Sequence, residues 1–256
     1  MLPERRHQLI LRALRDDGPS TIVALAERLG MSPATIRRDL VRLDDEGLLT
    51  RVYGGAAPIA DKDDPFTDVA TVRVGEKDAV AERAAALVED GQTVLLDIGT
   101  TAHRLARRLR GRNLTVVTSS MAVYEELADD TGIQLVLLGG MLRREYRSLV
   151  GFLTEDNLRQ VHADWLFLGT SGVRRNGRVM DTTVVEVPVK RAMIAASDRV
   201  ALLADAAKFP GTGVATVCGP EALDTVVTDA SVDHQTAAAL HEAGVTIVEA
   251  AAGADS

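Results

Sequence analysis

The sequence predicts two domains of different class: a small all-α unit at the N-terminus and a larger α/β unit on a mainly parallel sheet. Three observations carry that expectation. Helical spacing of apolar residues recurs three times in the first 57 residues, interrupted by Asp16-Asp17-Gly18-Pro19 and by Gly30. From about residue 69 the pattern changes to helices alternating with short apolar strands. Between the two, Pro58-Ile59-Ala60-Asp61-Lys62-Asp63-Asp64-Pro65 is polar, carries two prolines and has no periodicity, as a linker does. The expected boundaries are 1–57, a linker at 58–68, and 69–256.

The first unit opens with Glu4 to Arg15, where Leu9, Ile10, Ala13 and Leu14 share one side. A second helix follows in TIVALAERLGM, with Leu25, Ala26 and Leu29 as its stripe and Gly30 as its C-terminal stop. Only Gly30 and Met31 precede Ser32, which suits an N-cap, and Pro33 stands at the first helical position, where a missing N–H costs nothing. Ile36, Leu40 and Leu43 form the dry back of this third helix. Pro33, Ala34, Thr35, Arg37, Arg38 and Arg42 lie off that stripe.

Leu48 to Val52 then reads as a strand, with Tyr53-Gly54-Gly55-Ala56 as turn and return. Two helices joined by a tight Gly-containing turn, with a wing beside them, make a winged helix-turn-helix. A cationic, hydroxyl-bearing helix tip of this kind suits end-first entry into the major groove of double-stranded DNA. Any amphipathic helix with solvated arginines shares the bare pattern; the flanking helix and wing favour DNA. Candidate contacts are Ser32, Pro33, Thr35, Arg37, Arg38, Arg42, Arg51, Tyr53 and Gly54.

Composition narrows the class. Hydrophobic residues are 46% of the 256, enough for a substantial core, and aromatics only 3%, which argues against stacking on single strands. Cys218 stands alone, so no internal disulfide forms, and the five histidines are scattered without a metal-binding spacing. No cofactor is expected. No apolar run reaches membrane-span length and no secretory signal opens the chain, so a cytoplasmic protein without a membrane partner is expected. The net charge of −8 is unevenly placed: residues 1–57 hold nine Lys/Arg and eight Asp/Glu, and the remainder 20 against 29. Local charge at the helix tip, not the total, governs attraction to phosphates.

In the second unit Val69 to Glu89 reads as a helix, then Thr93–Leu96 as a buried strand and Thr101–Leu109 as a helix. Leu114–Val117, Gln134–Leu138, Trp165–Leu168, Val200–Leu203, Val214–Val217, Thr225–Val227 and Val245–Val248 read as further strands. Helices are expected at Ala122–Ala128, Glu155–Val161 and Asp233–Ala243. Ligands of such sheets bind at the carboxyl ends of the strands. Four of those ends carry Gly or hydroxyl residues: Asp97-Ile98-Gly99-Thr100-Thr101, Thr118-Ser119-Ser120, Gly139-Gly140 and Gly169-Thr170-Ser171-Gly172.

At the first of them Gly99 admits a close backbone approach and the threonines stand beside helix N–H groups, a ready phosphate site. A plain strand–helix turn capped by Thr100 fits as well. Asp164 precedes the strand that holds Trp165. Asp181, Glu186 and Lys190 occupy one segment, the last two spaced as helical neighbours; a surface ion pair is the alternative. Asp205 and Lys208 follow a strand, where a solvated turn is the alternative. A phosphate cradle with carboxylates and lysines suits a phosphorylated polyol.

The first domain resembles that of the DeoR family of bacterial transcription regulators. Arg6, Ile10 and Leu14 fall at the family's spacing, and Ser32, Thr35, Ile36, Arg37, Arg38, Asp39 and Leu40 reproduce its S-x-x-T-I-R-R-D-L core. Arg51, Gly54, Gly55 and Ala56 fit its wing, with Tyr53 where His is often seen. The second domain resembles the family's sensor, similar in fold to ribose phosphate isomerase. Its D-x-G-T-T is matched by Asp97, Gly99, Thr100 and Thr101; its Gly-Gly by Gly139 and Gly140; its E-x-x-x-K by Glu186 and Lys190; its D-x-x-K-F by Asp205, Lys208 and Phe209. The resemblance implies a sugar phosphate or related metabolite at these positions; the strand ends and the charged segment add Ser119, Ser120, Gly169 and Asp181 as effector candidates. Ser119 stands where the family often has Asn, and Pro188 divides Glu186 from Lys190, so a helix there is expected to begin near Glu186.

Two functions follow. One is a repressor of sugar-metabolism genes, a dimer or tetramer, released from operator DNA by a sugar phosphate and not an enzyme. The other is a sugar phosphate isomerase with a DNA-binding appendage, in which Glu186 or Asp205 would move the proton. A DNA-binding protein with an inert α/β body is a third, and the crowded strand ends argue against it.

Overall fold

The computed structural model describes residues 3–17, 20–45, 49–52, 54–57 and 65–250. The chain divides into two compact units, Met1–Lys62 and Asp63–Ser256. In the first, helices α1 (Pro3–Asp17), α2 (Ile22–Leu29) and α3 (Pro33–Asp45) surround a core of Ile10, Leu14, Leu25, Ile36, Leu40, Leu43 and Leu49. The turn between α2 and α3 closes as the residues dictate. Thr21 Oγ1 caps α2 by accepting from the Ala24 N–H at 3.1 Å. Gly30 ends it in the left-handed region, φ +64°. Ser32 Oγ accepts from the Thr35 N–H at 3.2 Å at the start of α3.

The wing is a three-stranded sheet. To the expected pair β2 (Thr50–Val52) and β3 (Gly55–Ala57) it adds β1 (Ser20–Thr21), in the antiparallel order β1–β3–β2. Tyr53, Gly47 and Leu48 lie outside the described residues, as does the segment 58–64.

The second unit opens with α4 (Phe66–Thr71) and α5 (Val74–Ala85). The sequence predicts one helix from Val69 to Glu89; instead the chain breaks at Val72-Arg73, with Arg73 at φ +51°, and α4 begins within the segment expected to be linker. Then follow β4 (Thr93–Leu96), α6 (Thr100–Leu109), β5 (Leu114–Thr118), α7 (Met121–Leu127) and β6 (Ile133–Leu137). A hairpin, β7 (Met141–Arg143) and β8 (Ser148–Val150), precedes α8 (Phe152–Leu158) and the long strand β9 (Ala163–Gly169). The chain continues through β10 (Gly172–Val173), β11 (Val179–Asp181), α9 (Val187–Ala195), β12 (Ser197–Leu203) and β13 (Ala215–Cys218). It closes with β14 (Thr225–Thr228), α10 (His234–Glu242) and β15 (Thr246–Glu249).

Seven of these strands form one wholly parallel sheet, ordered β15–β14–β12–β9–β4–β5–β6. Its middle strand β9 sends alternate side chains to opposite faces, as a pleat requires. Trp165 and Phe167 join one core with Val80, Leu105, Leu109 and Val123 from α5, α6 and α7. Leu166 and Leu168 join another with Leu158, Met193 and Leu240 from α8, α9 and α10. Covered on both faces, the inner strands are apolar over most of their length, which is why they read as continuous runs. A small antiparallel sheet, β10–β11–β13, lies apart from the main one in hydrogen bonding.

Candidate functional site

In the first unit, α3 keeps Ile36, Leu40 and Leu43 inside and leaves Ser32, Pro33, Arg37, Arg38 and Arg42 exposed. Thr35 is half-buried, its Oγ1 2.9 Å from Ser32 Oγ. Arg51 and Gly54 are exposed on the wing, and the Arg51 N–H donates to Asp44 Oδ1 at 3.1 Å, tying the wing to the end of α3. Asp39, in the middle of the arginine run, points the other way. It accepts from Arg6 Nη2 at 2.7 Å and Nε at 2.5 Å and sits 3.2 Å from His7 Nε2. Burial acts to raise its pKa, but Arg6 and His7 hold it below the ordinary carboxylate value. A carboxylate that would repel DNA is thus turned into a bolt between α1 and α3. Of the described DNA-contact candidates, all but the half-buried Thr35 are exposed on α3 or the wing; Tyr53 is outside the described residues.

The second unit holds a cavity of about 450 Å³ at the carboxyl ends of β4, β9 and β12. Gly99, Thr100, Thr101, Gly169, Asp181, Glu186, Lys190, Asp205 and Lys208 line it. Gly99 and Gly169 end adjacent strands, and a Cβ on Gly169 would stand 3.3 Å from Asp97 Oδ2. Gly99, not Thr100, is the N-cap of α6, and no side chain caps that helix. Among the described residues no side chain accepts from its first N–H groups, which border the cavity, the arrangement that attracts an anion.

Two charged clusters face this space. Lys190 is buried and paired with Asp97; its Nζ also donates to the Gly169 carbonyl at 3.1 Å and lies 3.4 Å from Asp181 Oδ2. Burial alone would lower its pKa, and the carboxylates Asp97, Asp181 and Glu186 together raise it. Glu186, equally buried, is bonded instead to Arg143 and to Ser148 Oγ at 3.1 Å. Burial pushes its carboxyl up to about 8, with Lys190 opposing and Asp181 adding. The alternative of a Glu186–Lys190 surface pair does not hold: both residues are buried in the cavity lining, and each takes another partner. Pro188 lies in the first turn of α9, which begins at Val187 with Glu186 as its N-cap, so its missing N–H breaks no helical bond.

The other cluster is cationic. Arg73 and Lys77 come from the α4–α5 junction and Lys208 from the turn after β12. Arg73 lies 3.8 Å through its Nε from Asp205 Oδ1 and 3.6 Å through its Nη1 from Glu76 Oε1, and Asp205 also caps its own turn by accepting from the Ala207 N–H. Burial, and then Lys208, press the Lys77 ammonium down to about 8.

Five sequence candidates stand outside the lining. Asp97 acts on it through Lys190 and the Gly169 N–H, 2.8 Å from its Oδ2, while its Oδ1 has no partner. Ser120 is fully buried and caps α7 by accepting from the Val123 N–H at 3.2 Å. Ser119 is also fully buried, its hydroxyl unpartnered. Gly139 donates to Asn157 Oδ1 at 2.8 Å, and a Cβ on Gly140 would meet Thr154 Oγ1 at 2.1 Å. Close packing explains the Gly-Gly pair. Arg73, Lys77, Tyr146, Thr182 and Thr183 line the cavity without having been singled out in the sequence. Lys77 had one signal, a lysine on the inner face of an alanine-rich helix.

The comparisons with known proteins follow these divisions. A model of the DeoR-like helix-turn-helix domain matches residues 6–62, and one of the DeoR C terminal sensor domain matches 72–230. The chain belongs to the DeoR family. It is a DNA-binding transcription regulator with a sensor domain, and its full-length relatives are regulators too. It is 31% identical to the HTH-type transcriptional regulator GlpR of Haloferax volcanii, over 98% of this chain and 100% of that one. It is 33% identical to the glycerol-3-phosphate regulon repressor of Escherichia coli K12, over 90% and 92%. It is 36% identical to the transcriptional repressor AccR of Agrobacterium fabrum, over 88% of each. Among solved structures, ribose 5-phosphate isomerase A of Methanocaldococcus jannaschii overlaps 52% of each chain, at 18% identity and a TM-score of 0.38. In this DeoR-family chain the sensor-domain match begins at Val72, inside the junction that carries Arg73 and Lys77 into the cavity. No described helix is long and apolar enough to cross a membrane.

Proposed function

We propose that this DeoR-family regulator is an oligomeric repressor of carbohydrate-metabolism genes, released from its operator by a phosphorylated sugar or polyol held in the second unit's cavity. The observation that carries this reading is the pairing of a cationic corner, Arg73, Lys77 and Lys208, with the uncapped N-terminus of α6. A phosphate group satisfies both. At the other end Asp181 and Glu186 offer groups for sugar hydroxyls, with Lys190 fixed between Asp97 and Asp181. Lys190 and Glu186 are both tied into internal bonds, which favours holding a ligand over moving its protons. The relatives named for glycerol-3-phosphate regulation agree with a small phosphorylated effector. An effector that binds the free form better than the operator-bound form must weaken the operator grip to the same degree.

A gel shift of the full chain on its own upstream DNA tests this against glycerol 3-phosphate and a panel of pentose and hexose phosphates. One member of the panel releases the DNA, and Arg38→Ala weakens the shift while leaving effector binding unchanged. Operator affinity untouched by Arg38→Ala would remove α3 from the DNA interface. Turnover of any panel member, lost in Glu186→Gln, would favour the isomerase.

A further inference from the structure

We propose that α4 is the element through which occupancy of the cavity reaches the rest of the chain, the Lys77 ammonium being the group an anionic ligand draws away from it. This rests on the reading of the cavity as an anion site.

Helix α4 has six residues, too few to satisfy its own carbonyls. Two side chains from outside supply what it lacks. Lys77 Nζ donates to the Val69 carbonyl at 2.6 Å, and Arg104 Nη2 donates to the Ala70 carbonyl at 3.0 Å. The two are not equivalent. Arg104 is also anchored by Asp78 at 2.7 Å. Lys77 has no carboxylate within ion-pair distance among the described residues, and its one hydrogen-bond partner there is that neutral carbonyl. It is 6% exposed and lines the cavity, where Lys208, Arg104 and Arg73 press on it and Asp205, beyond ion-pair distance, opposes them. A buried ammonium pressed by like charges gains more from an anion than from a peptide oxygen, because charge-assisted bonds are roughly twice as strong.

When a phosphate enters, Lys77 turns to it and Val69 O keeps only the Val72 N–H, at 3.3 Å. The same turn of α4 forms part of the cavity wall through Asp68, Val69 and Val72. At its other end α4 is held by the Phe66 N–H on the Glu145 carbonyl at 3.0 Å and by the Phe66 ring against His103 and Tyr146. Its chain leads back directly to segment 58–64 and the first unit. Loosening one end of so short a helix therefore acts on the stretch of chain that follows the linker.

Hydrogen exchange on the full chain, in phosphate-free buffer and then with saturating inorganic phosphate, tests this. Phosphate should slow exchange at residues 99–103 and speed it severalfold at 66–71. Lys77→Met should exchange fast at 66–71 from the outset and show no further rise. Arg104→Met should loosen α4 yet keep the phosphate response. Slowing at 99–103 with no change, or slowing, at 66–71 overturns the role of α4 alone, and the wild-type protein suffices for that reading if a variant misfolds. No slowing at 99–103 overturns the anion site and this proposal with it. A Lys77→Met protein that responds at 66–71 as the wild type does overturns the role of Lys77.

Discussion

Glu186 holds a carboxyl at 4% exposure, pushed up to about 8 by burial above all, with Lys190 opposing. Its value in the unfolded chain is the ordinary 4.5. Between those two pH values the folded protein keeps a proton that the unfolded chain gives up. The linked stability is therefore fully present below the unfolded value and is lost as pH rises toward 8. Melting temperature should fall across that window, and Glu186→Gln should flatten the fall, a thermal-shift series being the measurement. An equal slope in the variant would show that another group titrates. Asp39 has the opposite sign. Arg6 and His7 depress its pKa against burial, so its contribution stands above the ordinary carboxylate value and is lost as acid is added.

At the level of elements, the wing depends on one close approach. A Cβ on Gly55 would lie 2.1 Å from the Ser20 carbonyl oxygen, where β1 pairs with β3. Backbone cannot yield as a side chain can. Gly55→Ala is expected to part these strands and cost roughly 1–3 kcal/mol, by analogy with overpacking, seen as a lower urea midpoint. The long elements were legible because their apolar patterns are unbroken: the helix-turn-helix with its Gly30 and Ser32 caps, and the runs that became β4, β5, β9, β12 and β14. The shorter ones were not. β7, which ends in Arg143, and β8 flank Arg144 and Arg147 and are only three residues each; β10 and β11 have two and three residues. Helix α4 follows a proline in an acidic stretch, which local sequence alone reads as linker. The site divides in the same way. Asp97, Gly99, Thr100, Asp205 and Lys208 were readable as motifs at strand ends. Arg73 and Lys77 enter because the chain kinks at Val72-Arg73, with Arg73 at positive φ, and an arginine there gives no local signal of such a turn.

For the molecule as a whole, a ligand that binds only the folded sensor must stabilise it by mass action, about 2.7 kcal/mol at a hundred times its dissociation constant. Calorimetry of the full chain should show a melting temperature that climbs with the concentration of the effecting sugar phosphate. Thr100→Ala combined with Lys208→Ala should abolish that climb. A climb retained in the double variant would move the phosphate elsewhere.

The order of the large sheet has a further consequence, in the making of the protein. Its middle strand, β9, comes late in the chain, and β12, which lies against it, later still. The N-terminal unit encloses its own core of Ile10, Leu14, Leu25, Ile36 and Leu40 from local neighbours. A ribosome therefore delivers every residue of the DNA reader well before the sensor can close around its centre. A message cut short after the linker would encode the DNA reader with no sensor attached to it.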